Sequence, residues 1–392
     1  MRIYLDNNAT TAIHPQVLGV LEEAMRDTYG NASSIHREGQ AARRVIEDAR
    51  ESVAQLIGAT ARDVVFTSGG TESNNAAIFG AITAGSRCHI VTSEIEHPSV
   101  AEAIRELERR GCSVSLVAPS RVGVVAAADV VAAVRDDTKL VAVMWANNET
   151  GVIQPVEEIG RFCRERGIHF HCDAVQAAMK VPVDVSFADT LSLSAHKLHA
   201  PKGIGALYVR RGLPLSTHLH GGAQERRRRP GTENVPLAAA FGAACALPSA
   251  ADAMRALRDR FERLVAQFTP SEVEESMEPS RKGSIDPSTA LGMNCRINGR
   301  DVARLPNTSN VTFHGADGEG IVIALDLAGV AVSTGSACSS GRVEPSSVLL
   351  AMGLSPEDAK STVRFSLSRF TTESEIDRVA QLLRELLPRC LR

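Results

Sequence analysis

From about residue 40 to residue 245 the chain alternates between two hydrophobic periods. Amphipathic stretches with helical spacing lie at 41–57, 100–110, 126–134 and 156–166. Between them lie short apolar runs of β type: DVVFTS (63–68), HIVTS (89–93), KLVAVMWA (139–146), IHFHCDA (168–174), TLSLSAH (190–196) and GALYVRR (205–211). Strands this apolar have to be covered on both faces, and interleaved helices supply the cover. The pattern predicts an α/β fold on a largely parallel sheet. GALYVRR follows the run before it too closely for a helical crossover, so it is expected to be an antiparallel hairpin partner.

Each run except GALYVRR ends in polar or Gly-rich residues: SGGTES, SEIEHPS, NNETG, DAVQ and SAHK. Ligands of open α/β sheets sit beyond the carboxyl ends of the strands. Five polar tips at that edge therefore predict one composite site. After a helical stretch at 251–268 the composition shifts. Residues 270–292 are rich in Pro, Ser and Glu without periodicity, as in an exposed loop or insertion. Strand and helix patterns then resume to the end as a smaller α+β unit. The expected division is a large domain over 15–250 and a small one from 1–14 with 251–392.

Composition narrows the function classes. A 392-residue chain with 44% hydrophobic residues can bury a large core, and its net charge of −3 gives no reason to expect nucleic acid or an anionic membrane as a partner. No stretch approaches the roughly 18 apolar residues that span a bilayer. The opening MRIYLDNNATT has charge and polarity where a signal peptide needs an apolar core, which suggests a cytoplasmic protein. Eight cysteines without CxxC pairs read as reduced thiols. No Cys/His cluster has zinc spacing. HFHCD (169–173) lies on one strand and cannot close a four-ligand site, so no metal is expected.

Single residues at the tips each admit two roles. In TSGGTESNN (67–75), Gly70 and Thr71 open a helix whose backbone N–H groups could hold a phosphate, or they form a plain strand–helix turn. Lys197 could be a solvated surface lysine, or it could hold an aldehyde as a Schiff base, as in pyridoxal enzymes. Asp173 could cap a helix or face a pyridine nitrogen, with Gln176 donating to the ring oxygen. His97, before Pro98, could be structural, or it could stack on a ring and move protons near neutral pH. Cys338 sits in STGSACSSG (333–341) without apolar neighbours, either incidental to a surface loop or reactive on a mobile arm.

Their order along the chain is more specific than any one of them. The chain resembles fold-type I pyridoxal-phosphate enzymes, and more narrowly the NifS/IscS-type cysteine desulfurases of the class V aminotransferase group. YLDNNATT, GNASSIH, TSGGTESNN, EIEHPSV, NNETGVIQP, DAVQ, SAHKLHAPKGIGALYVRRG, GTEN, RLPNTSNVTF, STGSACSSG and RFSLSRFTT carry the resemblance over nearly the whole length. It implies a seven-stranded, mostly parallel sheet and pyridoxal 5′-phosphate as cofactor. It implies Lys197 as the cofactor lysine, with Gly70, Thr71, Ser194 and His196 at the phosphate and Thr232 reaching it from the other subunit of a homodimer. Asp173 would face the ring nitrogen, Gln176 the ring oxygen, and His97 would stack on the ring. Asn148 and Arg364 would hold the carboxylate of L-cysteine. Cys338 would be the nucleophile that takes the sulfur as a persulfide and passes it to an acceptor protein for iron–sulfur cluster assembly or another sulfur modification. A selenocysteine lyase or aminotransferase on the same scaffold is the alternative. QERRRRPGTEN (224–234) departs from the family's pattern with four consecutive arginines, Arg226 to Arg229. They either touch phosphate or acceptor or form a solvated basic loop, the latter favoured for Arg227.

Overall fold

The structure, a computed structural model, describes residues 2–82, 88–217, 219–268, 294–334 and 344–391. Cys338 and the 270–292 segment lie outside the described residues. Strands are numbered in chain order: β1 Ile3–Tyr4, β2 Val64–Thr67, β3 His89–Ser93, β4 Ser113–Val117, β5 Thr138–Ala142, β6 His169–Asp173, β7 Thr190–Ser194, β8 Gly205–Val209, β9 Cys295–Ile297, β10 Thr308–Phe313, β11 Val330–Ala331 and β12 Thr362–Ser366.

Seven of them form one sheet in the order β2-β8-β7-β6-β5-β3-β4. All neighbours are parallel except β8, which runs antiparallel to both β7 and β2. The expected hairpin is present, and β8 also serves as the bridge to β2. Strand β4 is the one that the apolar runs did not mark. It lies at the sheet edge and is half exposed, so its residues SVSLV need not be continuously apolar.

The sheet is covered by helices on both faces, as continuous burial of β2, β3, β6, β7 and β8 requires. One core joins the sheet to helices Arg37–Leu56, Val156–Arg166 and Val235–Cys245 through Ile46, Phe66, Phe170 and Phe241. The helix Val235–Cys245 has no amphipathic stripe to read, because most of its apolar side chains are buried. It packs against Pro15–Asp27 and Arg37–Leu56. Gly242 permits the close approach, since a Cβ there would lie 2.7 Å from Ala49 Cα. A second core lies around the three-stranded sheet β12-β10-β9 and joins Leu5, Phe261, Phe313, Phe365 and Leu383. Among the described residues no helix is long and apolar enough to cross a membrane.

The N-terminal segment links the two cores. Strand β1 pairs in parallel with β11, and Asp6 bridges to Ser366 of β12. A few residues later, Thr11 N–H donates to the His196 carbonyl (3.0 Å) and His14 N–H to that of His199 (3.0 Å). Residues 6–11 thus run along the carboxyl edge of the large sheet.

Candidate active site

The strand tips surround a cavity of about 510 Å³, within the range of small-molecule sites. Its lining includes Gly70, Thr71, His97, Asn148, Asp173, Gln176, Ser194, His196, Lys197 and Arg364. The structure therefore brings together every sequence-derived candidate except two. Cys338 lies outside the described residues. Thr232 is exposed and borders a separate cavity with Ser68, Gly203 and Arg229.

Helix Gly70–Ala81 begins directly after β2, and its N-cap, Gly69, has no side chain to satisfy the first backbone N–H groups. Those donors, with the helix dipole, make an anion site. Glycine at position 70 keeps it open: a Cβ there would lie 2.9 Å from Val175 Cγ2 and 3.5 Å from Ser194 Cβ. A phosphate fits this cradle.

Asp173 ends β6 and is buried. Its Oδ1 accepts the Val175 N–H (2.9 Å) and its Oδ2 accepts Asn74 Nδ2 (2.7 Å). Two bonds leave a carboxylate with acceptor capacity for a ring N–H. Asn74 also donates to Ser99 Oγ (2.8 Å), and its Oδ1 lies 3.0 Å from His171 Nε2. With both amide hydrogens spent, Asn74 takes the third bond from an N–H on His171. Burial pushes His171 down to about 3, so it stays neutral and can hold that tautomer.

His97 caps helix Pro98–Arg109, its Nδ1 accepting the Ser99 N–H (3.1 Å) and lying 2.7 Å from Ser99 Oγ. The two roles that the sequence left open are compatible, because the cap uses Nδ1 and puts the neutral ring's proton on Nε2. Burial lowers the imidazole's basicity, the Asp173 charge opposes this, and Lys197 lowers it further. His196 is also held neutral, pushed down to about 4 by burial and by the charges of Lys197, Lys202 and Lys180.

Lys197 Nζ donates to the carbonyls of Asn8 (2.5 Å) and Ala9 (2.7 Å). Arg364 is buried on β12 and pairs with Asp6 at 2.7 Å while donating to the Asn148 carbonyl (3.1 Å). Amine, carboxylate, imidazole and phosphate cradle on one cavity form a set that matches pyridoxal 5′-phosphate. Among the described residues no group of His, Cys, Asp and Glu could hold a metal.

Several residues of the site carried no assigned role in the sequence. Asn74 was inside TSGGTESNN, and Asp6 and Asn8 were inside YLDNNATT, but only the fold shows what they touch. Glu96 is buried and lines the cavity. Ser93 Oγ (2.5 Å) and Met144 N–H (3.0 Å) donate to its Oε1. Its Oε2 has no hydrogen-bond partner. Burial pushes its carboxyl up to about 8, against those two hydrogen bonds and with the Asp173 charge.

The arginine run is tied down more than a solvated loop would be. The backbone turns through positive φ at Glu225, Arg226 and Arg227. Glu225 is buried in a two-point ion pair with Arg50 (2.6 and 2.9 Å), Arg226 donates to the carbonyls of Arg62 and Val64, and Arg229 pairs with Glu72 (2.9 Å). Arg227 is exposed, as expected.

Four buried or half-buried cysteines are poor nucleophiles. Burial pushes Cys88, Cys163 and Cys295 up to about 12 and Cys172 well above its ordinary value.

Comparison with known proteins fixes the family. The aminotransferase class-V family matches residues 3–280 and 290–379. A cysteine desulfurase of Trichormus azollae is 43% identical, with 99% of this chain and 93% of that protein covered. The chain belongs to the cysteine desulfurases of the class-V aminotransferase family. A solved NifS-like protein superposes with a TM-score of 0.85 at 32% identity, covering 99% of this chain and all of that one. The structure of SspA in complex with cysteine has a TM-score of 0.80 at 35% identity over 95% of this chain and 100% of its own. The mixed seven-stranded α/β architecture described above matches that of NifS-like structures.

Proposed function

We propose that the chain is a pyridoxal 5′-phosphate-dependent cysteine desulfurase that converts L-cysteine to L-alanine and keeps the sulfur as a persulfide on Cys338. The observation that carries this reading is the meeting of Lys197, Asp173, His97 and the Gly70–Thr71 helix start on one cavity that also holds Arg364. Lys197 would hold the cofactor's aldehyde carbon, Asp173 its ring nitrogen and Gln176 its ring oxygen. Gly70, Thr71, Ser194 and His196 would hold the phosphate. Bound there, the cofactor supplies an electron sink for the pair left when Cα of the substrate loses its proton.

The chain's own residues do the rest. Arg364, oriented by Asp6, presents its guanidinium to the substrate carboxylate beside Asn148. Lys197 takes and returns protons at the substrate. His97 would face the ring and move a proton at the substrate sulfur through Nε2. The Cys338 thiolate attacks that sulfur. An S–S bond forms as the substrate's Cβ–S bond breaks, and the released electron pair takes up a proton at Cβ on the way to alanine. The persulfide then passes to an acceptor protein. The exposed position of Thr232 supports a role in a second copy's site, and hence a homodimer. The two hydrophobic cores support a large cofactor-binding domain and a smaller one.

The test is intact-mass spectrometry after incubation with L-cysteine without reductant. A gain of one sulfur atom on Cys338, with alanine in solution, is expected. The Cys338→Ala variant is expected to keep the cofactor and lose both. Sulfide release at the full rate by that variant would overturn the role of Cys338. No mass gain in the parent protein would point to a lyase or aminotransferase.

A further inference from the structure

Lys180 is a buried lysine that the mechanism does not use. It is 6% exposed, and among the described residues no carboxylate lies within ion-pairing distance of it. Lysines are rarely buried in this way unless something requires them. The backbone just before it supports a built position. Met179 adopts φ 61°, a left-handed conformation that a methionine keeps only where its surroundings hold it.

The contact Lys180 makes is specific. Its Nζ donates to Gln176 Oε1 at 2.8 Å, while Gln176 Nε2 donates to the Asn8 carbonyl at 3.0 Å. An ammonium has three donors and no acceptor. It therefore accepts only one orientation of the Gln176 amide, oxygen toward Lys180 and N–H groups away from it. Gln176 lines the cavity with Asp173 and Lys197.

We propose that Lys180 is a positioning residue that locks the Gln176 amide so that the N–H not donated to the Asn8 carbonyl faces the cofactor's ring oxygen. The inference rests on the reading that Gln176 faces that oxygen. A donor at this point favours the oxygen in its ionised form. An amide free to flip would offer an acceptor for part of the time and lose that preference. Burial and the nearby charges of Lys197 and Arg364 hold the Lys180 amine down at about 7, so the lock is complete below that pH, where the amine is an ammonium, and loosens above it; His196 and His199 on the adjoining segment are neutral.

The experiment is a pH titration of the cofactor's visible absorbance in the holoenzyme, for the parent, Lys180→Met, Gln176→Ala and the double variant. The midpoint is expected to rise by about one pH unit in Gln176→Ala, the worth of one hydrogen bond to an anion, and by a smaller but resolved amount in Lys180→Met, whose amide keeps its bond to the Asn8 carbonyl. The double variant is expected to match Gln176→Ala, because Lys180 acts only through the amide. A Lys180→Met shift that persists undiminished in the Gln176→Ala background would overturn the proposal in favour of a bare charge effect. A shift in Gln176→Ala alone would overturn it too. No shift in Gln176→Ala would instead refute the placement of Gln176 at the cofactor. Lys180→Leu replaces the methionine variant where the latter does not fold, with thermal unfolding as the control for a purely structural effect.

Discussion

Glu96→Gln should make the protein less sensitive to alkali. Burial raises the Glu96 carboxyl from 4.5 to about 8. Between those values the folded chain keeps a proton that the unfolded chain has released, so stability falls as pH rises through the window and levels off above about pH 8. The gap of about 3.5 pH units corresponds to about 5 kcal/mol in all. About 2–3 kcal/mol of that falls between about pH 6 and about pH 8. The glutamine keeps an acceptor oxygen for Ser93 Oγ and the Met144 N–H and does not titrate.

The assay is urea unfolding of the cofactor-free protein at both pH values, parent beside variant. The parent should lose about 2–3 kcal/mol more than the variant on going from the lower pH to the higher. Lys180 works in the opposite sense: its amine is held at about 7, so its destabilising effect fades as pH rises above that value. It is common to both proteins and cancels in the difference. If parent and variant lost stability in parallel, Glu96 would be ionised at neutral pH in the folded chain, and the account of its burial would be refuted.

Two further substitutions probe the cradle and its surroundings. Gly70→Ala should weaken cofactor binding at least about tenfold, since its Cβ would meet Val175 at 2.9 Å and narrow the anion site; equilibrium dialysis with pyridoxal 5′-phosphate measures this, and unchanged affinity would remove the phosphate from that turn. Arg50→Met should cost about 3–5 kcal/mol in urea unfolding by leaving Glu225 buried and unpaired, and Arg50→Met with Glu225→Leu should recover most of it.

The β-strands, their polar tips and most helices were legible because burial on a two-sided sheet leaves unmistakable apolar runs in the chain. The residues at those tips were legible as chemistry through their order along the chain, since Asp173 and Lys197 taken singly each admit a structural role as well. What escaped was whatever depends on neighbours distant in sequence. The helix Val235–Cys245 has no stripe, because it is enclosed by two helices and the sheet. Strand β4 has no run, because its side chains are half exposed, whereas β2 at the opposite edge is buried along its length.

Within the site, residue types and order determined that an amine, a carboxylate, an imidazole and an anion cradle would meet at one edge. Only the tertiary structure decided which atoms of each are committed. Asn74 orients Asp173 from 99 residues away, Asp6 holds Arg364 across 358, and Asn8 lies between Lys197 and Gln176. Hydrogen bonds are made between groups that folding brings together, and burial decides their protonation. Neither quantity is local to the chain, so neither can be read along it.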